Sequence, residues 1–132
     1  MVLKSPTETM NDKPTIYDEN YPSRRLLDVI GDKWKPIVLI ILGKGMRRYG
    51  ELQRCLPDVS KKMLTQTLRV LEGDGLLKRT VYAQVPPRVE YELTPLGRSF
   101  LEPVMSLCRW ASGNTDDLDT VQACRKKSLR RR

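Results

Sequence analysis

The side chains in this sequence best suited to chemistry are cations and amides. Lys61, Lys62, Thr65, Gln66 and Arg69 fall within the run SKKMLTQTLRVLEGDG, residues 60–75. At roughly 100° per residue they gather on one side of a helix, while Met63, Leu64, Thr67, Leu68, Val70 and Leu71 gather on the other. Only Glu72 adds a negative charge to the polar side. A solvated helix ordinarily mixes signs, often as Glu-to-Lys pairs one turn apart. Arg and Lys suit guanine edges and phosphates, Gln suits an adenine edge, and Thr can meet a thymine methyl or a phosphate. Such a strip recognises a polyanion; it does not make or break bonds.

Groups that do make and break bonds are scarce. The chain has no histidine, and its three cysteines, Cys55, Cys108 and Cys124, lack C-x-x-C spacing. A zinc site would need an unusual ligand set, so neither a metal nor a cofactor is expected. The carboxylates are scattered over helix faces and turns without a convergent acid, base and nucleophile, which argues against an enzyme. Cys55 and Cys108 are read as small buried hydrophobes. Cys124 stands beside Arg125 and Lys126. Cys55 and Cys124 are the candidates for a redox-sensing role. Trp34 and Trp110 are read as core or interface aromatics in preference to walls of an effector pocket.

The net charge of +8 is unevenly spread. Residues 1–20 carry 2 basic and 4 acidic groups, while the last eight, RKKSLRRR, carry 6 basic and none acidic. Between Lys44 and Arg88 there are 10 basic and 4 acidic residues; between Val89 and Cys124 the counts are 2 and 6. A basic tail alone would mean little. The excess at 44–88 lies inside expected structure, where it forms a patch that attracts polyanions. Arg47, Arg48, Arg79 and Arg88 extend the strip into that patch. The run PIVLIIL is far shorter than the ~18 residues of a membrane span. The N-terminus lacks an apolar signal core, so the expected location is the reducing cytoplasm.

The elements that must position these residues can be read in order. Length suits one domain. Residues 1–20 read as a flexible arm, and 113–132 as a frayed acidic-then-basic tail. Ser23 is expected to cap a short helix carrying Leu26, Leu27 and Ile30, stopped by Gly31. A second, central helix runs from about Lys33 to Leu42, with Pro36 in its first turn. A third spans Tyr49 to Leu56 and turns Tyr49, Leu52 and Leu56 inward. Ser60 caps the fourth, and Gly73 and Gly75 stop it. Then the period changes to two: LLKRTVY, 76–82, and RVEYEL, 88–93, read as a hairpin across AQVPP. Thr94 and Pro95 start a last helix to about Ser112, bent at Pro103, with Phe100, Leu101, Val104, Met105 and Cys108 along one stripe.

This order, mainly α with a small β-hairpin, is a winged helix-turn-helix plan over residues 21–112, in which the second helix of the motif enters a major groove. The hairpin would then bring Arg79 and Arg88 to the backbone or minor groove. A protein-interaction module on the same fold is the alternative, because fold does not fix function.

The stretches YPSRRLLDVIGDKWKPIVLIIL, SKKMLTQTLRVLEGDGLLKR and VPPRVEYELTPLGRSF resemble the HxlR-type family of bacterial winged-helix transcription regulators. The resemblance implies a homodimer, usually a repressor, on an inverted-repeat double-stranded DNA operator, answering in some members to a small-molecule or redox effector. It implies that Ser60–Arg69 is the recognition helix and 76–93 the wing. It also implies a dimer seam built from the N- and C-terminal helices, hence from Leu26, Leu27, Ile30, Phe100, Leu101, Val104, Met105 and Cys108. Members often carry a cysteine immediately before the proline that is Pro22 here, and some use it as a thiol sensor. This chain has Tyr21 there, so that mechanism does not transfer.

Overall fold

A computed structural model describes residues 20–131, so the arm expected over residues 1–20 lies, Asn20 apart, outside the described residues. The chain forms α1 (Pro22–Ile30), α2 (Trp34–Gly43), β1 (Arg47–Arg48), α3 (Tyr49–Cys55), α4 (Lys61–Gly73), β2 (Leu77–Tyr82), β3 (Arg88–Leu93), α5 (Pro95–Gly113) and α6 (Thr115–Arg130).

Local chemistry sets most boundaries. Pro22 starts α1 at its first position, with Tyr21 as the cap and no side-chain cap bond, so Ser23 is already helical and does not cap as expected. Asp32 accepts at 2.8 Å from the amides of both Trp34 and Lys35, which satisfies two orphan donors at the head of α2. Pro36, the third residue of that helix, needs no amide there. Gly45, at φ +140°, turns the chain out of α2 in a conformation that L side chains rarely adopt.

The core is built around α2, whose Val38, Leu39 and Leu42 are fully buried. It packs against α4, α5 and β3. Leu52 of α3, Leu64, Leu68 and Leu71 of α4, and Leu76, Leu77, Tyr91 and Leu93 around the sheet close the same cluster. Each leucine so buried stabilises by about 1.5–3 kcal/mol. Ile30 and Val104 belong to this cluster too. They are spent on the chain's own interior and cannot also form a seam with a second copy. Leu101 presses its side chain against Gly43, and it packs with Phe100 at the cluster's edge.

The sheet has three strands, ordered β1-β3-β2 and antiparallel throughout. The expected hairpin is present, with Arg79 opposite Tyr91 and Val81 opposite Val89. The added strand is β1: Arg47 pairs with Tyr91 and Arg48 with Glu90. The third helix begins at Tyr49 as expected, and Arg48 both ends β1 and caps that helix, donating its amide to Glu51 at 3.0 Å.

The root of the wing is locked to α5. Thr94 donates its amide to the Leu76 carbonyl (3.0 Å) and its hydroxyl to the Gly75 carbonyl (2.7 Å). The same hydroxyl accepts from the Gly97 amide at 3.0 Å, capping the helix as expected. A Cβ on Gly97 would lie 2.1 Å from the Leu76 carbonyl oxygen, so only glycine permits this approach. The helix then runs through Pro103 to Gly113.

Residues 115–130, expected to fray, are helical as α6. Asp116 and Asp117 in the first turn and Lys127 and Arg130 in the last complement the helix dipole. None of its residues is buried.

Candidate nucleic-acid interface

The strip at 60–73 is built from its cap outward. Ser60 has extended backbone and accepts from the Met63 amide at 3.0 Å, which fixes where α4 begins. Its hydroxyl is thereby committed to capping. Leu64, Thr67, Leu68 and Leu71 are buried and pin the helix to the core. At roughly 100° per residue their directions average to one side, and Lys62, Gln66 and Arg69 point almost diametrically away; all three are exposed. Lys61 is exposed on the flank nearer α3, where the Tyr49 hydroxyl reaches its carbonyl at 3.4 Å.

Two assignments on this helix change. Met63 and Val70, expected to face inward, are exposed and border the opposite flank of the strip. The buried arc is narrower than the apolar arc. Thr65, expected to stand fully outside, is half-buried, and its hydroxyl pairs with that of Tyr49 at 3.1 Å. This bond ties the two helices of the motif to one another.

The remaining expected arginines lie on the sheet, whose β2 packs against α4. Arg47 and Arg48 sit on β1, Arg79 on β2 and Arg88 on β3, all in one small sheet. Among the described residues, Lys61, Lys62, Arg69, Arg47, Arg48 and Arg79 make no ion pair, the pairs being Lys35–Asp32, Lys78–Glu92, Arg88–Glu90 and Arg109–Glu102. Arg88 is the exception within the expected set. Its Nε lies 3.2 Å from a Glu90 carboxylate oxygen, and its guanidinium stacks 4.1 Å from the centre of the Tyr82 ring. Part of its charge is thus compensated at home.

An open cleft of about 610 Å³ separates α3 from the wing, lined by Arg48, Arg54, Arg79 and Arg88 together with Tyr49, Tyr91 and the wing-loop prolines. Sequence reading missed Arg54, because a helix-face count treats it as a lone surface cation. At the wing tip Val85 is fully exposed.

The thiols are separate from all of this. Cys55, expected to be buried, is exposed at the end of α3; Cys108 is half-buried; Cys124 is exposed on α6. Trp34 packs against the core with Lys33 4.8 Å from its ring centre, whereas Trp110 is exposed on α5. No described helix is long and apolar enough to cross a membrane.

Two helices ahead of a helix-turn-helix of α3 and α4, followed by a hairpin whose β2 packs against α4, define a winged-helix DNA-binding fold. The chain belongs to the HxlR-like helix-turn-helix family, which matches residues 29–119. Among curated relatives, the HTH-type transcriptional regulator YybR of Bacillus subtilis is 41% identical over 116 residues, covering 86% of this chain and 93% of that protein. The HTH-type transcriptional regulator YtfH of Escherichia coli is 40% identical over 107 residues, covering 81% and 85%. Among solved structures, the redox regulator HypR in its reduced form is 43% identical with a TM-score of 0.73, covering 76% of this chain and 99% of that one. The curated relatives are HTH-type transcriptional regulators, and this chain is a transcriptional regulator with a helix-turn-helix DNA-binding fold, not an enzyme.

Proposed function

We propose that the chain represses transcription as a homodimer on an inverted-repeat operator, with α4 in the major groove and the wing on the backbone or minor groove. The observation that carries this reading is the direction of Lys62, Gln66 and Arg69: outward, unpaired with acids, and on a helix held by four buried residues. Arg69 and Lys62 would serve guanine edges or phosphates and Gln66 an adenine edge. The exposed Met63 and Val70 offer apolar contact to thymine methyl groups along one flank. Arg47, Arg48 and Arg79 would hold phosphates, and Val85 would lead the wing into the adjacent groove.

Dimerisation is supported by apolar side chains that the single chain leaves uncovered. Leu27 on α1 and Leu107 and Trp110 on α5 are each more than half exposed. Leu26, Phe100, Leu101, Met105 and Cys108 are half-buried nearby in sequence on the same two helices. A seam on α1 and α5 would use these and not Ile30 or Val104. Two copies would then present two α4 helices to half-sites ~34 Å apart. The likeness to the redox regulator HypR supports an effector as a further partner; a thiol effect here would have to run through Cys55, Cys108 or Cys124, since Tyr21 replaces the family's usual cysteine.

Selection of bound sequences from a random duplex pool tests the whole reading at once. The expected product is a palindrome whose half-sites are one helical turn apart. Enrichment of a single unrepeated site, or of none, overturns it.

A further inference from the structure

A threonine inside a helix has a bond of its own to make. Its hydroxyl can reach back to the carbonyl one turn earlier, and such back-bonding often bends the helix there. Elsewhere this chain does so: on α6 the Thr120 hydroxyl donates to the Asp116 carbonyl at 3.0 Å, and on α5 the Ser112 hydroxyl donates to the Cys108 carbonyl at 3.0 Å. Thr65 of α4 is held differently. Its hydroxyl pairs with the Tyr49 hydroxyl at 3.1 Å, and that Tyr49 hydroxyl donates to the Lys61 carbonyl at 3.4 Å. Lys61 lies one turn before Thr65. The tyrosine therefore engages both of the groups that a back-bond would join.

The turn so engaged carries part of the outward strip. Lys61 and Lys62 begin it and Gln66 follows directly on Thr65; all three are exposed. Tyr49 is itself anchored on its other side. It is the first residue of α3 and follows Arg48, which pairs with Glu90 of the wing strand β3. Its hydroxyl thus references the start of α4 to the sheet as well as to α3.

We propose that Tyr49 is a positioning residue for base recognition: by engaging the Thr65 hydroxyl and the Lys61 carbonyl separately, it keeps the start of α4 straight and fixes the aim of Lys61, Lys62 and Gln66. This role rests on α4 entering the major groove as proposed. Without the tyrosine hydroxyl, Thr65 turns to the Lys61 carbonyl and the first turns of α4 re-aim. Removing the threonine hydroxyl as well takes away the competing bond, so the second loss repairs the first.

The test is competition binding of the full chain to a selected operator and to the same operator with single base-pair changes. Tyr49→Phe, which keeps the ring, should lower discrimination about fivefold, the lower end of what one good side-chain contact to a base supplies. Random duplex, held through phosphates, should be bound as before. Thr65→Val leaves Tyr49 on the Lys61 carbonyl, and both it and the double variant should discriminate within about twofold of wild type, whereas independent losses would add. A double variant as poor as Tyr49→Phe overturns the role, and so does Tyr49→Phe discriminating like wild type. In ¹⁵N spectra without DNA, Tyr49→Phe should move the Lys61 and Lys62 amides and the double variant should return them; shifts that persist overturn it. Gln66→Ala in the same competition separates the two readings. If it leaves discrimination intact, α4 is not the reader and the operator reading falls with this role; if it lowers discrimination while Tyr49→Phe does not, the positioning role alone falls.

Discussion

Helices α4 and α6 both carry cations and are both exposed along much of their length, yet they are differently held. The thirteen residues of α4 include four buried ones, a side-chain N-cap and a hydroxyl bond to the neighbouring helix. The sixteen residues of α6 include none that is buried, and the helix relies on acids at its start and bases at its end. Isolated helices of this length are marginal in water. Charge is thus the lesser part of a reading surface. A cation on α4 has a fixed direction relative to the core, so it can prefer one base over another. A cation on α6 can only raise the attraction to any duplex.

The contrast can be broken in several ways. The largest effect is expected from Leu68→Ala, which empties a fully buried position and should cost about 3 kcal/mol in urea unfolding. Leu129→Ala on α6, already two-thirds exposed, should change stability by less than about 0.5 kcal/mol; comparable losses would mean that α6 is anchored as firmly as α4. Next comes specificity. Arg69→Ala or Gln66→Ala should lose about 1–3 kcal/mol of discrimination between operator and mutated operator, read by competition binding, with little change on random duplex. Removal of residues 125–132 should do the reverse, weakening all duplexes alike and flattening the slope of log affinity against log salt, while the specificity ratio holds. Smaller still, Thr65→Val should cost about 1 kcal/mol through its bond to Tyr49, visible as a lowered melting temperature. Last, Arg88→Ala should weaken every duplex by under about 1 kcal/mol, because Glu90 and Tyr82 already engage that side chain; a larger, sequence-dependent loss in filter binding would make it a reader of bases.

Much of this architecture was legible in the sequence, for a physical reason in each case. The period of α4 and the hydroxyl of Ser60 are strong local signals, and Thr94 followed by proline marks the start of α5 just as clearly. What escaped reading lacks such a signal. A two-residue strand such as β1 has no period; it exists only because β3 offers it a partner. Hydrophobicity at Met63 and Val70 marks what can be buried, whereas the neighbours of α4 cover only a narrow arc. Asp32 caps α2 from two residues before Trp34, with Lys33 between them, so its role depends on a turn that a helix period does not register. The exposure of Cys55 and the use of Ile30 and Val104 in the interior are likewise decisions of packing. Arg54 gains meaning only when the wing closes over α3.

The contact at Gly97 has a mechanical consequence. For α5 to slip along the wing root, two hydrogen bonds from Thr94 would have to break, at about 0.5–1.5 kcal/mol each, and the helix would ride over a carbonyl with no slack around it. Hairpin and long helix must therefore swing together, like an arm cast in one piece with its shoulder. Whatever tilts the hairpin's root re-aims the first turns of the long helix with it.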